Sequence, residues 1–457
     1  MTAERGMTRS RAQARALEEE FWRVVETNTE EVKVEYGSDL DADVYGSGFA
    51  RLTPQPRGEP GSQSSGDTLT PGDVDVDGTP HAWDFGELVE HPSNLLRVIG
   101  ANIPGLTRPW LYLGMMFAAF CWHVEDHYLC SVNYLHAGAP KSWYGIPGTS
   151  ADAFERAVRE IVPSLVESAP DLLHRIVTLV PPALLRDAHG VEVFQTLQEP
   201  GEFVVTWPRA YHAGFSHGYN VGEAVNFGTA EWVPMGRIAV EHYSAGVGKR
   251  DAVFSHDRLM LETARSFASK MMGVRAPWIA RMAETLREEL GTIVREQEEG
   301  RTALLRRGVP AHPPRRVTLT AAGGYPYGED TDEDEDECCA LCKSMPYLAV
   351  VHCASCWREA EARELAEAVK RARAEGKSTA GAAWAAAARA RREASGTHPR
   401  GERSGLTRGS GRRRVDFPVF CLKHALDGCR HAANDRVVEV RAETERVREV
   451  LETLAAM

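Results

Sequence analysis

The sequence predicts a mainly β protein with α-helical additions: a double-stranded β-helix of the jelly-roll kind as its core, a helical domain behind it, and a small cysteine-rich module towards the C-terminus. Three observations carry this. Short β-type runs, Ile176–Val180, Val191–Thr196, Gly201–Trp207 and Tyr219–Phe227, are separated by Pro and Gly, as antiparallel strands of a double sheet are. From Gly236 to about Arg306 the apolar spacing turns helical. Seven of the nine cysteines lie between Cys338 and Cys429, several spaced Cys-x-x-Cys beside histidines.

Length and composition bound the rest. A chain of 457 residues that is 43% hydrophobic holds a large core and a second, smaller domain. Apolar runs such as Trp110–Phe120 fall short of the roughly 20 residues a bilayer crossing needs, and Met1–Arg15 has no apolar signal core. A soluble intracellular protein with no membrane partner is therefore expected. In a reducing compartment clustered cysteines read as metal ligands rather than disulfides, while Cys121 and Cys130 stand apart as core thiols. The net charge of −12 argues against a general DNA-binding surface and suits a partner with a basic tail.

In chain order, residues 1–16 are Arg- and Ala-rich without apolar periodicity and are expected to be disordered. The barrel unit, 17–235, opens with a helix over Leu17–Val25 and a strand over Val32–Gly37. Residues 53–79 are dense in Pro, Gly, Ser and Asp, the composition of an inserted surface loop. A short helix around Asn94–Val98 and a strand through Trp110–Tyr112 follow. Thr149–Ser168 places Phe154, Val158, Ile161, Val162 and Leu165 at helical spacing, with Ser150 or Asp152 as caps, and is expected to cover the barrel. Next come a helical domain over 236–307, a linker over 308–337 containing the acidic run Glu329–Glu337, the cysteine-rich module over 338–431, and a charged amphipathic helix over 432–457.

Phe120-Cys121-Trp122-His123-Val124-Glu125-Asp126-His127 carries the chemistry. Side chains alternate along an extended strand, so His123 and Glu125 project to one side and Val124 to the other. A third ligand from a distant strand would complete a two-histidine, one-carboxylate triad, which leaves open positions on a non-haem Fe(II). His212, beside a β-type run and flanked by Pro208 and Gly214, is the candidate. Ser131 and Asn133 repeat the same spacing, and two polar side chains facing a barrel interior need a polar ligand. Lys141 is a solvated lysine in most contexts, but beside Trp143 and Tyr144 it supplies a fixed cation for an anion. Ala224 and Asn226 share one parity of the last barrel strand.

With Tyr134-Leu-His-Ala-Gly-Ala-Pro-Lys-Ser-Trp-Tyr-Gly-Ile-Pro147 added, this segment resembles the jumonji-C histone lysine demethylases, iron and 2-oxoglutarate dioxygenases on the cupin fold. Val34-Glu-Tyr-Gly37, Phe117-Ala-Ala-Phe-Cys-Trp-His123, Pro208-Arg-Ala-Tyr-His212 and Val240-Glu-His-Tyr243 are most similar to the subgroup acting on lysine 4 of histone H3. The likeness spans roughly residues 17–265 and 338–431. It implies His123, Glu125 and His212 as iron ligands. It implies Tyr36, Ser131, Asn133 and Lys141 as 2-oxoglutarate ligands, with Phe120 packed against that co-substrate, and Tyr112, Ala224 and Asn226 around the methylated lysine. Tyr36 otherwise reads as an edge aromatic, and Tyr112 as core packing. The implied activity is N-methyl hydroxylation of tri- and dimethylated lysine, releasing formaldehyde and succinate, in the nucleus, on chromatin. A protein hydroxylase on the same fold and an inactive chromatin scaffold are the alternatives.

Cys339-x-x-Cys342, Cys353-x-x-Cys356, Cys421-x-x-His424 and Cys429-x-His431 supply the eight donors that two tetrahedral zinc ions use. They resemble the zinc finger that follows the jumonji-C domain in this subgroup, normally five cysteines, one histidine and two cysteines. Here the eighth ligand is His431 and the second pair is spaced by two residues, so Cys338 and His352 remain substitutes. An Ala- and Arg-rich insert, 358–414, splits the finger; its net charge of about +8 reads as a solvated segment or as a contact for nucleic acid, with Arg412–Arg414 as an import signal.

Overall fold

Among the described residues of the barrel, nine strands form two antiparallel sheets between which the chain repeatedly crosses, and each strand pairs with residues far away in sequence. A computed structural model describes residues 2–27, 29, 31–49, 84–163, 179–244, 252–271, 277–309, 311–312, 349–353, 366, 370, 374, 419–420, 436–440 and 444–455. It divides into two units, 1–291 with 319–335 and 449–457, and 292–318 with 336–448.

In the first unit the strands are β1 (Tyr36–Asp41), β2 (Trp110–Gly114), β3 (Ala119–His123), β4 (Cys130–Gly138), β5 (Lys141–Ile146), β6 (Phe194–Gln198), β7 (Phe203–Thr206), β8 (Tyr211–Ser216) and β9 (Asn220–Phe227). One sheet has the order β1-β2-β9-β4-β7 and the other β3-β8-β5-β6, as the jelly-roll reading requires. All six residues of β8 are buried, because both of its faces are covered. Its His212, Gly214 and Ser216 alternate with Tyr211, Ala213 and Phe215. Phe215 stacks on Phe21 of the N-terminal helix with centroids 4.0 Å apart, and Tyr211 packs against Phe154, 0% exposed, at 4.5 Å.

Several boundaries differ from the sequence reading. The N-terminal helix runs over Thr2–Thr27, through the segment expected to be disordered. Residues 2–16 contain no proline and several strong helix formers, so propensity extends a helix that Phe21 and Trp22 anchor. The first strand starts only at Tyr36, not Val32, since β2 offers its last pairing residue, Gly114, to Tyr36. A bulge between Gly37 and Leu40, with Asp39 at φ 58°, carries that strand on to Asp41. Pro182–His189 forms a helix ended by Gly190 at φ 64°, so β6 begins at Phe194 rather than Val191. The helix expected over 149–168 is Ala151–Ile161, with Ser150 at its N-cap position making no capping bond.

Helices Val233–Ser244, His256–Met271 and Pro277–Arg306 follow the barrel. The Glu289 carboxylate lies among them, 2.9 Å from Arg237 and 3.0 Å from His256. Burial pushes its carboxyl up, but His256 and Arg237 outweigh burial and hold it below the usual range.

The second unit holds a sheet of order β10-β13-β11-β12: β10 (Ala311–His312), β11 (Ala349–Cys353), β12 (Val419–Phe420) and β13 (Arg436–Val440). The linker expected over 308–337 thus begins with a strand. Within the C-terminal segment Arg436–Val440 is a strand, β13, and the described helix covers Thr444–Ala455. Val437, Val438 and Val440 explain that strand, because β-branched side chains favour it and β11 pairs with it. Among the described residues no helix is long and apolar enough to cross a membrane.

Phe154 faces both Trp122 and Tyr211 from the covering helix. Phe154→Ala is therefore expected to cost about 3–5 kcal/mol. The check is a lowered urea midpoint with the far-ultraviolet circular dichroism of the native protein retained.

Candidate active site

The space between the two sheets is the site, and the registers decide what lines it. Across β3, β8 and β5 the inward row comprises His123, His212 and Gly145, then Phe120, Gly214 and Trp143, then Ser216 and Lys141, with Gln198 of β6 opposite Lys141. Across the larger sheet it comprises Tyr112, Gly222, Ala224, Asn226, Ser131 and Asn133.

His123 pairs directly with His212, and their rings lie 4.2 Å apart. Glu125 is extended at φ −64°, ψ 157°, just past the end of β3, and its Oε1 stands 3.3 Å from His212 Nε2. Val124 between them is buried on the other side. The ligand atoms of His123, Glu125 and His212 all lie within 4.8 Å of one another. Each histidine has Nδ1 near the backbone oxygen two residues earlier, His123 to Cys121 at 2.8 Å and His212 to Ala210 at 3.0 Å. A carbonyl only accepts, so Nδ1 donates; once Nε2 releases the proton through which His212 faces Glu125, both Nε2 lone pairs are left for a metal. Burial pushes the Glu125 carboxyl up, but His212, His123 and Asn226 outweigh it and bring it down to about 2. The donor set fits a metal that takes imidazole and carboxylate and keeps open positions.

On the same inner surface lies a cation without a counter-ion. Lys141 is 2% exposed, and among the described residues no carboxylate pairs with it; burial alone lowers its ammonium to about 8. Its Nζ stands 5.9 Å from the ring centroids of both Tyr112 and Phe120. Gly222 leaves a bare wall here: a Cβ on it would lie 3.6 Å from Lys141 Nζ and 3.8 Å from Asn133 Nδ2. Gly214 admits the Phe120 ring, whose edge a Cβ would meet at 2.5 Å. Ser131 and Asn133 share the inner face, and Ser131 Oγ bonds Thr206 Oγ1 at 2.5 Å. The residues fit a bound anion flanked by an apolar wall.

Tyr36 and Tyr112 lie 6.2 Å apart, and burial pushes both hydroxyls up. Asn226 donates to the Cys130 carbonyl at 3.1 Å and also bonds Glu125. Tyr144 departs from the sequence reading: it faces away from Lys141, accepting from Trp22 Nε1 at 2.8 Å and donating to Glu18 at 2.6 Å. Cys339, Cys342, Cys356, Cys421, His424, Cys429 and His431 lie outside the described residues, as do Cys338 and the side chains of Cys353 and His352. The inserted loop 53–79 lies outside them too, as does nearly all of the basic insert.

Sequence reasoning missed what holds the Glu125 turn. His127 and Tyr128 adopt left-handed conformations at φ 50° and 53°, uncommon for such side chains. The His127 N–H donates to the Tyr243 hydroxyl at 2.9 Å, its carbonyl accepts from Trp232 Nε1 at 2.9 Å, and its Nε2 accepts from the Val253 N–H at 3.1 Å. Its ring stacks on Phe254 with centroids 3.9 Å apart. Tyr128 bonds His242 at 2.8 Å, and the Arg209 guanidinium lies 5.5 Å over the Tyr128 ring. Arg209, itself at φ 57°, pairs with Asp152 and Glu155, so the turns flanking two metal-facing residues meet at one cation–π contact. The sequence signal was the Val240–Tyr243 motif, which carries His242 and Tyr243.

Comparison with known proteins agrees with this geometry. Residues 110–227 match the family model described as JmjC domain, hydroxylase, and residues 231–286 match the C-terminal helical domain of lysine-specific demethylase 5. The chain is 39% identical over 340 residues to lysine-specific demethylase 5D of Pan troglodytes, covering 74% of this chain and 20% of the relative. It is 38% identical over 343 residues to lysine-specific demethylase JMJ17 of Arabidopsis thaliana, covering 74% and 26%. With lysine-specific demethylase JMJ703 of Oryza sativa it shares 44% over 262 residues, 57% of this chain and 19% of the relative. The chain thus spans about a fifth to a quarter of the length of these relatives.

Tyr243→Phe removes the hydroxyl that accepts the His127 N–H. It is expected to weaken Mn(II) binding about tenfold, the low end for loss of a group that orients a metal ligand. Titration calorimetry checks this, with thermal melting to show that the fold survives.

Proposed function

We propose that this chain, a JmjC hydroxylase through residues 110–227 and akin to lysine-specific demethylase 5 through residues 231–286, is an Fe(II)- and 2-oxoglutarate-dependent histone lysine demethylase. Its substrate on this reading is tri- or dimethylated lysine 4 of histone H3. The observation that carries the proposal is the pairing, between the same two sheets, of a His123–Glu125–His212 triad with the buried ammonium of Lys141, which has no carboxylate partner among the described residues. A dicarboxylate with a metal-chelating end and a distal carboxylate satisfies both at once. The names of the relatives, all lysine-specific demethylases, support the reaction class.

In this mechanism His123 Nε2, Glu125 and His212 Nε2 hold the metal, and their hydrogen-bonded Nδ1 atoms keep the rings from swinging. Iron bound there would supply, with 2-oxoglutarate and oxygen, the oxidation that hydroxylates an N-methyl carbon and yields succinate and carbon dioxide. Lys141 receives the distal carboxylate together with Tyr36, Ser131 and Asn133, and Phe120 and Trp143 exclude water beside it. Tyr112, Ala224 and Asn226 line the methyl region. The short Ala224 side chain leaves room for three methyl groups and asks no hydrogen bond of the ammonium. Because a C–H bond is oxidised, no nitrogen lone pair is needed, so trimethyl-lysine is a substrate and the hydroxylated methyl leaves as formaldehyde.

By the same reading the protein works in the nucleus on chromatin, the module over 338–431 binds two zinc ions through Cys339, Cys342, Cys353, Cys356, Cys421, His424, Cys429 and His431, and the basic insert is a solvated segment whose charge permits nucleic-acid contact.

Mass spectrometry of methylated histone peptides incubated with protein, Fe(II), ascorbate and 2-oxoglutarate is expected to show demethylation fastest at tri- and dimethylated lysine 4. Equal rates at lysines 4, 9 and 36 would remove the subgroup assignment, and no formaldehyde from any peptide would remove the activity. His212→Ala is expected to abolish succinate production with circular dichroism unchanged, since a triad missing one anchor loses metal affinity and geometry. For Lys141 the sign is fixed by its charge: the ammonium is protonated below about 8 and neutral above. The apparent KM for 2-oxoglutarate is therefore expected to rise as pH is raised through 8, and Lys141→Met to give a high KM without that dependence, at a cost of about 3–5 kcal/mol in binding.

A further inference from the structure

Gln198, the last residue of β6, lies opposite Lys141 and is 1% exposed. A buried primary amide has two chemically different ends, and its surroundings decide which way it points. The Trp143 indole N–H only donates, so it selects the Gln198 oxygen, 2.8 Å away. The Gln198 NH2 then faces three acceptors: Asn133 Oδ1 at 3.1 Å, the Asn133 carbonyl at 3.3 Å and the Glu202 carbonyl at 2.9 Å. With its Oδ1 engaged, Asn133 has only Nδ2 to turn towards the bare wall at Gly222, beside Lys141 Nζ. Among the described residues that Nδ2 has no acceptor.

We infer that Gln198 is a positioning residue of the co-substrate pocket. Its fixed amide polarity carries the donor sense of the Trp143 indole through to Asn133, so that Asn133 Nδ2 and Lys141 Nζ present two donors, and no acceptor, to one carboxylate. Gln198 also staples the smaller sheet to β4 of the larger one, so the same bonds that polarise Asn133 hold the two walls of the pocket in register. The inference rests on the reading that this pocket takes 2-oxoglutarate.

The substitution that separates polarity from packing is Gln198→Glu. The new carboxylate still accepts from Trp143 but offers Asn133 only acceptors, which inverts the Asn133 amide and points its oxygen at the bound anion. Binding of 2-oxoglutarate to the Mn(II)-loaded protein under nitrogen, followed by calorimetry, is expected to weaken about tenfold or more. Mn(II) affinity is expected to stay within about twofold, because no metal ligand is touched. In an Asn133→Ala background the same substitution is expected to lose markedly less affinity, because no amide remains to invert and only the effect of the added charge is left. Trp143→Phe, which frees the Gln198 amide to rotate, provides a second route to the same non-additivity if Gln198→Glu does not fold. Unchanged affinity in Gln198→Glu, or an equal loss in both backgrounds, would overturn the role. If Lys141→Met and Asn133→Ala themselves leave affinity unchanged, the pocket assignment falls, and the role of Gln198 with it.

Discussion

The antiparallel pairing of β3 with β8 sets His123 opposite His212, and most of the site follows from that register. Phe120 and His123 are an odd number of residues apart, so a regular strand would point them to opposite faces. The irregularity between them turns both into the barrel, placing an aromatic wall and a metal-facing imidazole on one surface. Once β8 is fixed, β5 pairs on its other side and brings Lys141 opposite Ser216, and β6 in turn brings Gln198 opposite Lys141. The register of a single strand pair therefore decides which residues can meet a ligand at all.

The resulting pocket has opposite polarity at its two ends. At one end stands a carboxylate beside two imidazoles, at the other a buried lysine with no carboxylate partner among the described residues, with the Phe120 ring between them. An unpaired buried ammonium is unfavourable by itself, so the fold carries a local cost that an anionic ligand relieves. On the proposed reading, such a site would orient an asymmetric dicarboxylate through electrostatics before shape is considered.

Much of this was legible in the residues, and the failures have a common cause. The i, i+2 parity of His123 with Glu125 and of Ser131 with Asn133 is a local property; β4 delivers the second, and the first survives because Glu125 stays extended just past the end of β3. The amphipathic helix over Ala151–Ile161 and the strand Asn220–Phe227 were equally local. What stayed hidden depends on a distant partner. Left-handed Tyr128 and Arg209 are not of residue types that favour that region, and although Asp39 and His127 are of types that enter it more often, nothing in their local sequence requires it. The start of β1 is set by where β2 ends, and the strand Arg436–Val440 by its pairing with Ala349–Cys353. Gln198 looks like any surface glutamine until the register of β6 is known.

The hydrogen bonds around His127 also bear on how such a protein can be divided. The two matched families meet between residues 227 and 231, as though a barrel ended and an accessory began. Yet the backbone N–H and carbonyl of the residue two places after Glu125 are satisfied by Tyr243 and Trp232, both beyond that border. A recombination event there would hand on a barrel whose carboxylate-bearing turn has lost its hydrogen-bonding partners. The unit that inheritance can move intact is larger than the unit that sequence comparison delineates, which gives a physical reason for the barrel and its helices to travel together.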